Sequence, residues 1–275
     1  MGYALAAAFA KAGHPTTTWN RTTTRPTPPN TTRAPSAADA VAASPLTVAC
    51  LLDYDATRAV LTTATDELKG RHLVVLTSGS PESAREMAAW AADHGITYTD
   101  GAIMTPTESI GTDAAVVLHS GHEVDMAALG GTQRFLGADA GRAAGYDVAL
   151  LDLFWTSVAG VVHAFAMARA EGITPTELAP LAKGIGELIP WVVDELAERV
   201  EADRHTDGTS NVASAAAGMA HIIATADARG LDASVLRAAH ALATRAIDAG
   251  HGADDLSRLT IELEEAMRPV QVRVT

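Results

Sequence analysis

The stretch Gly141-Arg-Ala-Ala-Gly-Tyr-Asp147-Val-Ala-Leu-Leu-Asp152-Leu-Phe-Trp155, running on through His163 to Glu171-Gly172, decides the fold. It contains no proline, its apolar residues fall all around a helical period, and Gly172-Ile-Thr-Pro175 stops it. Roughly thirty residues at about 1.5 Å each span a small domain. A helix apolar on every side is expected to be buried on every side, which makes His163 a packing histidine whose polar atoms are satisfied. Upstream, short apolar runs alternate with helical ones; downstream, only helical patterns occur. One long buried helix between two architectures is where a site between domains is expected.

Working back from it, strands are expected over 15–19, 46–52, 73–77, 96–100 and 114–119. Helices are expected over 36–43, from 54 to 68, and over 81–94, where Pro81 opens the first turn and Gly95 lies beyond the end. Such alternation implies a parallel sheet with helices on both faces. The Thr- and Pro-rich segment 23–35 cannot hold a normal helix. Working forward, helices are expected over 175–203, 208–228, 231–249 and 253–267, with breaks at Gly230 and Gly250-His-Gly252. The domains then read as 1–140, a linking helix over 141–172, and a helical 173–275.

The chain has 275 residues, 48% of them apolar, enough for two domains and a sizeable core. Its formal net charge of -13 argues against nucleic acid or an anionic membrane as partner. No run is expected to cross a membrane. The lone Cys50 cannot form an internal disulfide, which suits a reducing cytoplasm. The opening Met1-Gly-Tyr-Ala-Leu-Ala-Ala-Ala-Phe-Ala-Lys11 lacks a basic leader and is interrupted by Lys11, so it reads as a helix rather than a signal peptide.

A dinucleotide-binding domain begins with a strand, a glycine turn and a helix whose N-terminus receives the pyrophosphate. Here Met1-Gly2 leads straight into the helix, as if at the end of that turn. The fold class expected is therefore an N-terminally truncated α/β Rossmann-like domain, a long interdomain helix and an all-α C-terminal domain. Without the usual first strand, unpaired sheet edges are expected.

Several motifs in order resemble those of the NADPH-dependent imine reductases and reductive aminases, relatives of the beta-hydroxyacid dehydrogenases. They are Met1-Gly2, Trp19-Asn-Arg-Thr22, Cys50-Leu-Leu-Asp53, Leu76-Thr-Ser-Gly-Ser-Pro81, Asp100-Gly-Ala-Ile-Met104, Leu118-His-Ser-Gly121, Phe135-Leu-Gly137, Tyr146-Asp-Val-Ala-Leu-Leu151, Gly160-Val-Val-His163 and Ala249-Gly-His-Gly-Ala-Asp-Asp-Leu256. The resemblance implies an NADPH-binding domain and a C-terminal homodimerisation domain with shared active sites. It also implies reduction of an imine, formed in some relatives from a carbonyl and an amine. An Asp or Glu after the second strand would repel a 2'-phosphate. Asn20, Arg21, Thr22 and Arg25 instead offer an amide, two guanidinium groups and a hydroxyl, which suit one. Gly2, Leu51, Leu52, Asp53, Ser78 and Met104 complete the cofactor-binding set that the resemblance implies, with Ser78 near the nicotinamide and Met104 lining the pocket.

The dehydrogenase relatives carry a Lys on the central helix for alcohol–carbonyl proton transfer. No Lys occurs between Lys69 and Lys183, which points away from alcohols. Asp147 matches a functional Asp of many reductive aminases and suits an iminium cation. Trp155 stands where relatives present an Asp or Tyr as proton donor; an indole N–H donates a hydrogen bond but gives up no proton at neutral pH. Asp147 and Trp155 are thus the expected catalytic-site residues, with the donor unassigned. The alternatives are a hydroxyacid or carbonyl reductase and a dimeric homologue with impaired catalysis.

Overall fold

A computed structural model describes residues 1–265 of the chain. They divide into two compact units, the first ending at Leu153 and the second beginning at Phe154. The first unit opens with α1 (Gly2–Lys11), β1 (Thr16–Thr18), β2 (Thr31–Arg33), α2 (Ala37–Ala42) and β3 (Leu46–Ala49). It continues through α3 (Tyr54–Leu61), α4 (Thr65–Leu68), β4 (His72–Val75), α5 (Pro81–Asp93), β5 (Thr97–Ile103), β6 (Val116–Gly121) and β7 (Thr132–Phe135) to the start of α6 (Gly141–Ala170).

β1 and β2 form a parallel pair, and β3-β4-β5-β6-β7 form a second sheet in that order. Among the described residues, β1 and β3 each have one sheet neighbour only. The expectation of a parallel sheet needs correcting at one junction, because β5 and β6 run antiparallel. The chain between them contains only a short 3-10 turn, Thr107–Ser109, and without a crossover helix it returns as an antiparallel neighbour. β2 and β7 were not expected. β2 lies in the Thr/Pro-rich segment and β7 is largely exposed, so neither shows the apolar run of a buried strand.

β4 shows why the sheet is covered on both faces. Leu73 and Val75 point into a cluster with Leu61, Leu68, Met87 and Trp90 from the helices on one side. Val74, with Leu76 just beyond the strand, points to the other side, where Leu5 and Ala8 of α1, Val117 and Leu129 gather. Alternation along a strand buried on both faces leaves no polar side chain at its centre. α5 is built as its sequence suggests: Pro81 sits in the first turn and the Ser80 hydroxyl caps the Ser83 N–H.

The second unit holds the rest of α6, α7 (Pro175–Gly186), α8 (Ile189–Glu201), α9 (Val212–Ala228), α10 (Ser234–Asp248) and α11 (Arg258–Glu265). The helix expected over 175–203 is two, since Pro190 starts a new first turn in α8. The last two residues expected in the final helix, 266 and 267, lie outside the described residues. α9 and α10 pack through Val212, Ala216, Ala243 and Ala246, small side chains that let two helices approach closely.

α6 overturns two expectations. It is not buried on all sides: Phe154, Trp155, Val161 and Val162 are exposed, Val162 at 64%. It is also long and apolar enough, by length and composition alone, to cross a membrane. His163 differs as well, for its buried Nε2 has no hydrogen-bond partner among the described residues.

Candidate active site

The Cys50 sulfur accepts a hydrogen bond from the Gly2 N–H, so the N-terminus of α1 meets the carboxyl end of β3. A side chain built on Gly2 would find nothing within 4 Å. Burial pushes the Cys50 thiol up, consistent with an inert structural cysteine.

The turn after β1 carries Asn20, Arg21, Thr22 and Arg25, all exposed. Asn20 Oδ1 accepts the Thr22 N–H at 2.9 Å, and the Arg25 N–H reaches the Thr22 carbonyl at 3.2 Å. Asn20 therefore shapes the turn that presents the two arginines. Arg33 on β2 went unnoticed in the sequence. Its guanidinium donates to the Thr23 carbonyl at 2.5 Å, to the Thr27 hydroxyl at 2.9 Å and to the Arg25 carbonyl. One planar side chain thus pins the loop that bears Arg25. Only its spacing after a run of Thr and Pro could have signalled it.

β3 ends at Ala49, three residues before the expected end. Leu51 packs partly against the core, and its N–H donates to the Thr77 hydroxyl at 3.2 Å. Leu52 is 88% exposed, so strand packing does not account for it. Asp53 caps α3, accepting the Ala56 N–H at 2.7 Å. That cap by itself explains an Asp at this position. Met104 is half-buried just beyond β5, its N–H bonded to the Val116 carbonyl at 2.9 Å.

Asp147 is 3% exposed on the second turn of α6. Burial pushes its carboxyl above the ordinary range, and the hydrogen bond from Ser78 opposes this. Ser78 lies in the loop between β4 and α5, so the sheet edge and the long helix meet at this pair. Next to it lies a set of residues to which the sequence assigns no role, although Asp100 heads one of the motifs quoted above. Tyr54, at the start of α3, and Tyr98, on β5, both donate to Oδ1 of Asp100, Tyr98 at 2.9 Å. The Tyr54 ring packs on the backbone beside Ser78; a side chain on Gly79 would come within 2.5 Å of it. Gly101 is equally confined, since a side chain there would meet Leu76 at 2.7 Å and the Leu118 carbonyl at 2.9 Å. The Asp100-Gly101 pair on a buried strand was the available signal.

Trp155 lies eight residues beyond Asp147, about 12 Å along the helix axis. It is 62% exposed, with its ring edge-on to Phe154 at 5.2 Å between centroids. The geometry thus brings together Asp147 and Ser78, and separately Asn20, Arg21, Thr22 and Arg25. Among the described residues no group of three His, Cys, Asp or Glu side chains could hold a metal ion.

With this geometry in hand, similarity to known proteins can be placed on it. Residues 139–265 match the family described as NADPH-dependent reductive aminase-like, C-terminal domain, and residues 1–132 match the NAD binding domain of 6-phosphogluconate dehydrogenase. The chain is 31% identical to an NADPH-dependent reductive aminase of Aspergillus oryzae, over 94% of this chain and 92% of that protein. Its structure resembles that of an imine reductase from Myxococcus stipitatus in complex with NADP+, with a TM-score of 0.91, 35% identity and 96% of each chain covered. It also resembles a reductive aminase from Aspergillus terreus in complex with NADPH4, cyclohexanone and allyl amine, with a TM-score of 0.89 and 34% identity over 96% of this chain and 95% of that one.

Proposed function

We infer the reaction from one premise: this chain belongs to the family of NADPH-dependent reductive aminases and imine reductases. It is an NADPH-dependent oxidoreductase that reduces a carbon–nitrogen double bond to an amine. The observation that carries the mechanism is the buried Asp147 carboxyl, stabilised in its charged form by the Ser78 hydroxyl. A carboxylate so placed gains most from a neighbouring cation, and an iminium carbon–nitrogen group provides one.

The residues fit the cofactor. Arg21 and Arg25 would hold the 2'-phosphate, with Asn20 and Thr22 ordering the turn. The first turn of α1 at Gly2 would receive the pyrophosphate. Leu51, Leu52, Asp53, Ser78 and Met104 would line the remainder. When bound, NADPH supplies the hydride to the imine carbon. Asp147 would hold the iminium nitrogen by charge. For a neutral imine the proton must reach nitrogen from water or from Asp147 itself, because Trp155 cannot release one. Trp155 instead offers its ring face to a cationic or apolar substrate.

The exposed apolar part of α6 supports a second copy of this chain as its cover, giving a homodimer. An apolar surface of this extent is costly to leave in water. A cytoplasmic setting is proposed from the single cysteine and the acidic composition. Coupling of a carbonyl with an amine, as opposed to reduction of a preformed imine, is part of this proposal.

The test is NADPH oxidation by the purified protein with 1-pyrroline or 3,4-dihydroisoquinoline, and with cyclohexanone plus a primary amine. Consumption with the preformed imines is expected. No consumption across a broad imine panel overturns the reading. A hydroxyacid dehydrogenase reading is disfavoured because no Lys occurs between Lys69 and Lys183.

A further inference from the structure

Asp100 is the most buried carboxyl group near Asp147, at 1% exposure, and the reaction described above does not use it. Its sheet neighbours are Val75 on β4 and Ser120 on β6, neither of them titratable. Ser120 ties this row to the long helix, donating to the Ala140 carbonyl at 3.0 Å and accepting the Ala143 N–H at 2.9 Å. Asp147 lies one turn beyond Ala143, on the same face of α6. The titratable groups facing Asp100 are therefore Tyr54 from α3, Tyr98 from its own strand and Asp147 from α6. Tyr54 joins the two carboxyl groups physically, since it donates to Asp100 while its ring lies against the loop that holds Ser78 to Asp147.

We propose that Asp100, gripped by Tyr54 and Tyr98 and joined through Ser120 to the start of α6, is a positioning residue for Asp147, its proton deciding whether one negative charge or two lie beside the substrate cation. Burial and, to a smaller extent, the Asp147 charge raise the Asp100 carboxyl, the two tyrosine hydroxyls lower it, and the net result is about 7. Burial and the Asp100 charge push both phenols far above their ordinary range, so they remain donors throughout. Below about 7 Asp147 acts with a neutral neighbour; above it, the second charge strengthens the hold on a cation. The kinetic consequence rests on the imine-reducing reading; the proton held by Asp100 does not.

Two measurements test it. The folded value of about 7 exceeds the ordinary 3.8, so between these pH values the folded chain holds a proton that the unfolded chain has lost. Stability contributed by Asp100 is therefore full below about 3.8 and is lost as pH rises through about 7. Melting temperature against pH should decline over this window in the wild type and decline less in Asp100→Asn. Curves of the same slope overturn the proposal. Second, with an N-methyl-3,4-dihydroisoquinolinium cation, whose nitrogen cannot titrate, KM should fall about fivefold from about pH 6 to about pH 8. It should be flat in Asp100→Asn. In Tyr98→Phe, which keeps the carboxyl but removes a donor to it, the midpoint should move to higher pH. An unmoved midpoint overturns the proposal. Should Asp100→Asn fail to fold, Tyr98→Phe decides the question by the shift of the melting and kinetic midpoints alone. A wild type that reduces no imine, yet shows the melting difference, would reject the reaction and leave the proton at Asp100 standing.

Discussion

The first two turns of α6 and the stretch that follows them have different surroundings. At its start, Ala143, Ala144 and Asp147 are buried against the sheet edge and the start of α5. Beyond them Val148, Leu150, Leu153, Phe154, Trp155, Val161 and Val162 are exposed, although the last turns are covered again where Met167 packs on Ile223 and Ala226. A helix with apolar residues on all sides states that it must be covered, but not by what. In the first two turns the cover is this chain's own sheet, and a single acid there acquires a raised proton affinity. For the exposed stretch the proposed cover is another copy.

The sharpest way to break this contrast is at Asp147. Replacing it by Asn should lower kcat/KM for a cyclic imine by about 100-fold, read from initial NADPH oxidation rates, because a charge facing the developing cation is lost in a dry site. If turnover is unchanged, the buried start of α6 is merely structural. The exposed stretch is tested by Val162→Asp, which places a charge in the proposed interface. Dimer dissociation measured by sedimentation should strengthen by about 30-fold or more. An unaltered association state would mean that this surface has no partner copy.

A smaller effect is expected away from the helix. Arg33→Ala frees the loop bearing Arg25 and should raise KM for NADPH about tenfold while leaving KM for NADH unchanged. An equal rise for both cofactors would mean a general loss of folding rather than of phosphate recognition. The smallest effect concerns Trp155. Trp155→Tyr restores a phenol where relatives have a donor, and kcat for a neutral imine should rise a few-fold, on the order of threefold, with no change for a permanently charged iminium. Equal rates for both substrates would remove the proton from the argument at this position.

Much of the fold was legible in the chain because local rules suffice for it. Pro81 and Gly95 bound α5, and the apolar run of β4 implied cover on both faces. The strands that escaped notice, β2 and β7, are short and exposed, and carry no periodic signal. Of the site, Asn20, Arg21, Arg25 and Asp147 could be picked out by type and position. Tyr54 and Asp100 could not be paired, because the bond between them spans 46 positions; Arg33 and Tyr98 have partners nearby in the chain, but at spacings that carry no periodic signal.

By itself, then, the sequence determined an acidic two-part chain with a long helix, a loop suited to a 2'-phosphate and no Lys for alcohol chemistry. These follow from residue type, spacing and charge, which need no folding to be read. Only the tertiary structure decided that β6 turns back antiparallel and that large apolar residues of α6 from Val148 to Val162 stay exposed. It also placed two tyrosines on Asp100 beside Asp147. Burial and hydrogen-bond geometry depend on which distant segments meet, and a carboxyl group's proton affinity is set by that meeting rather than by its neighbours in sequence.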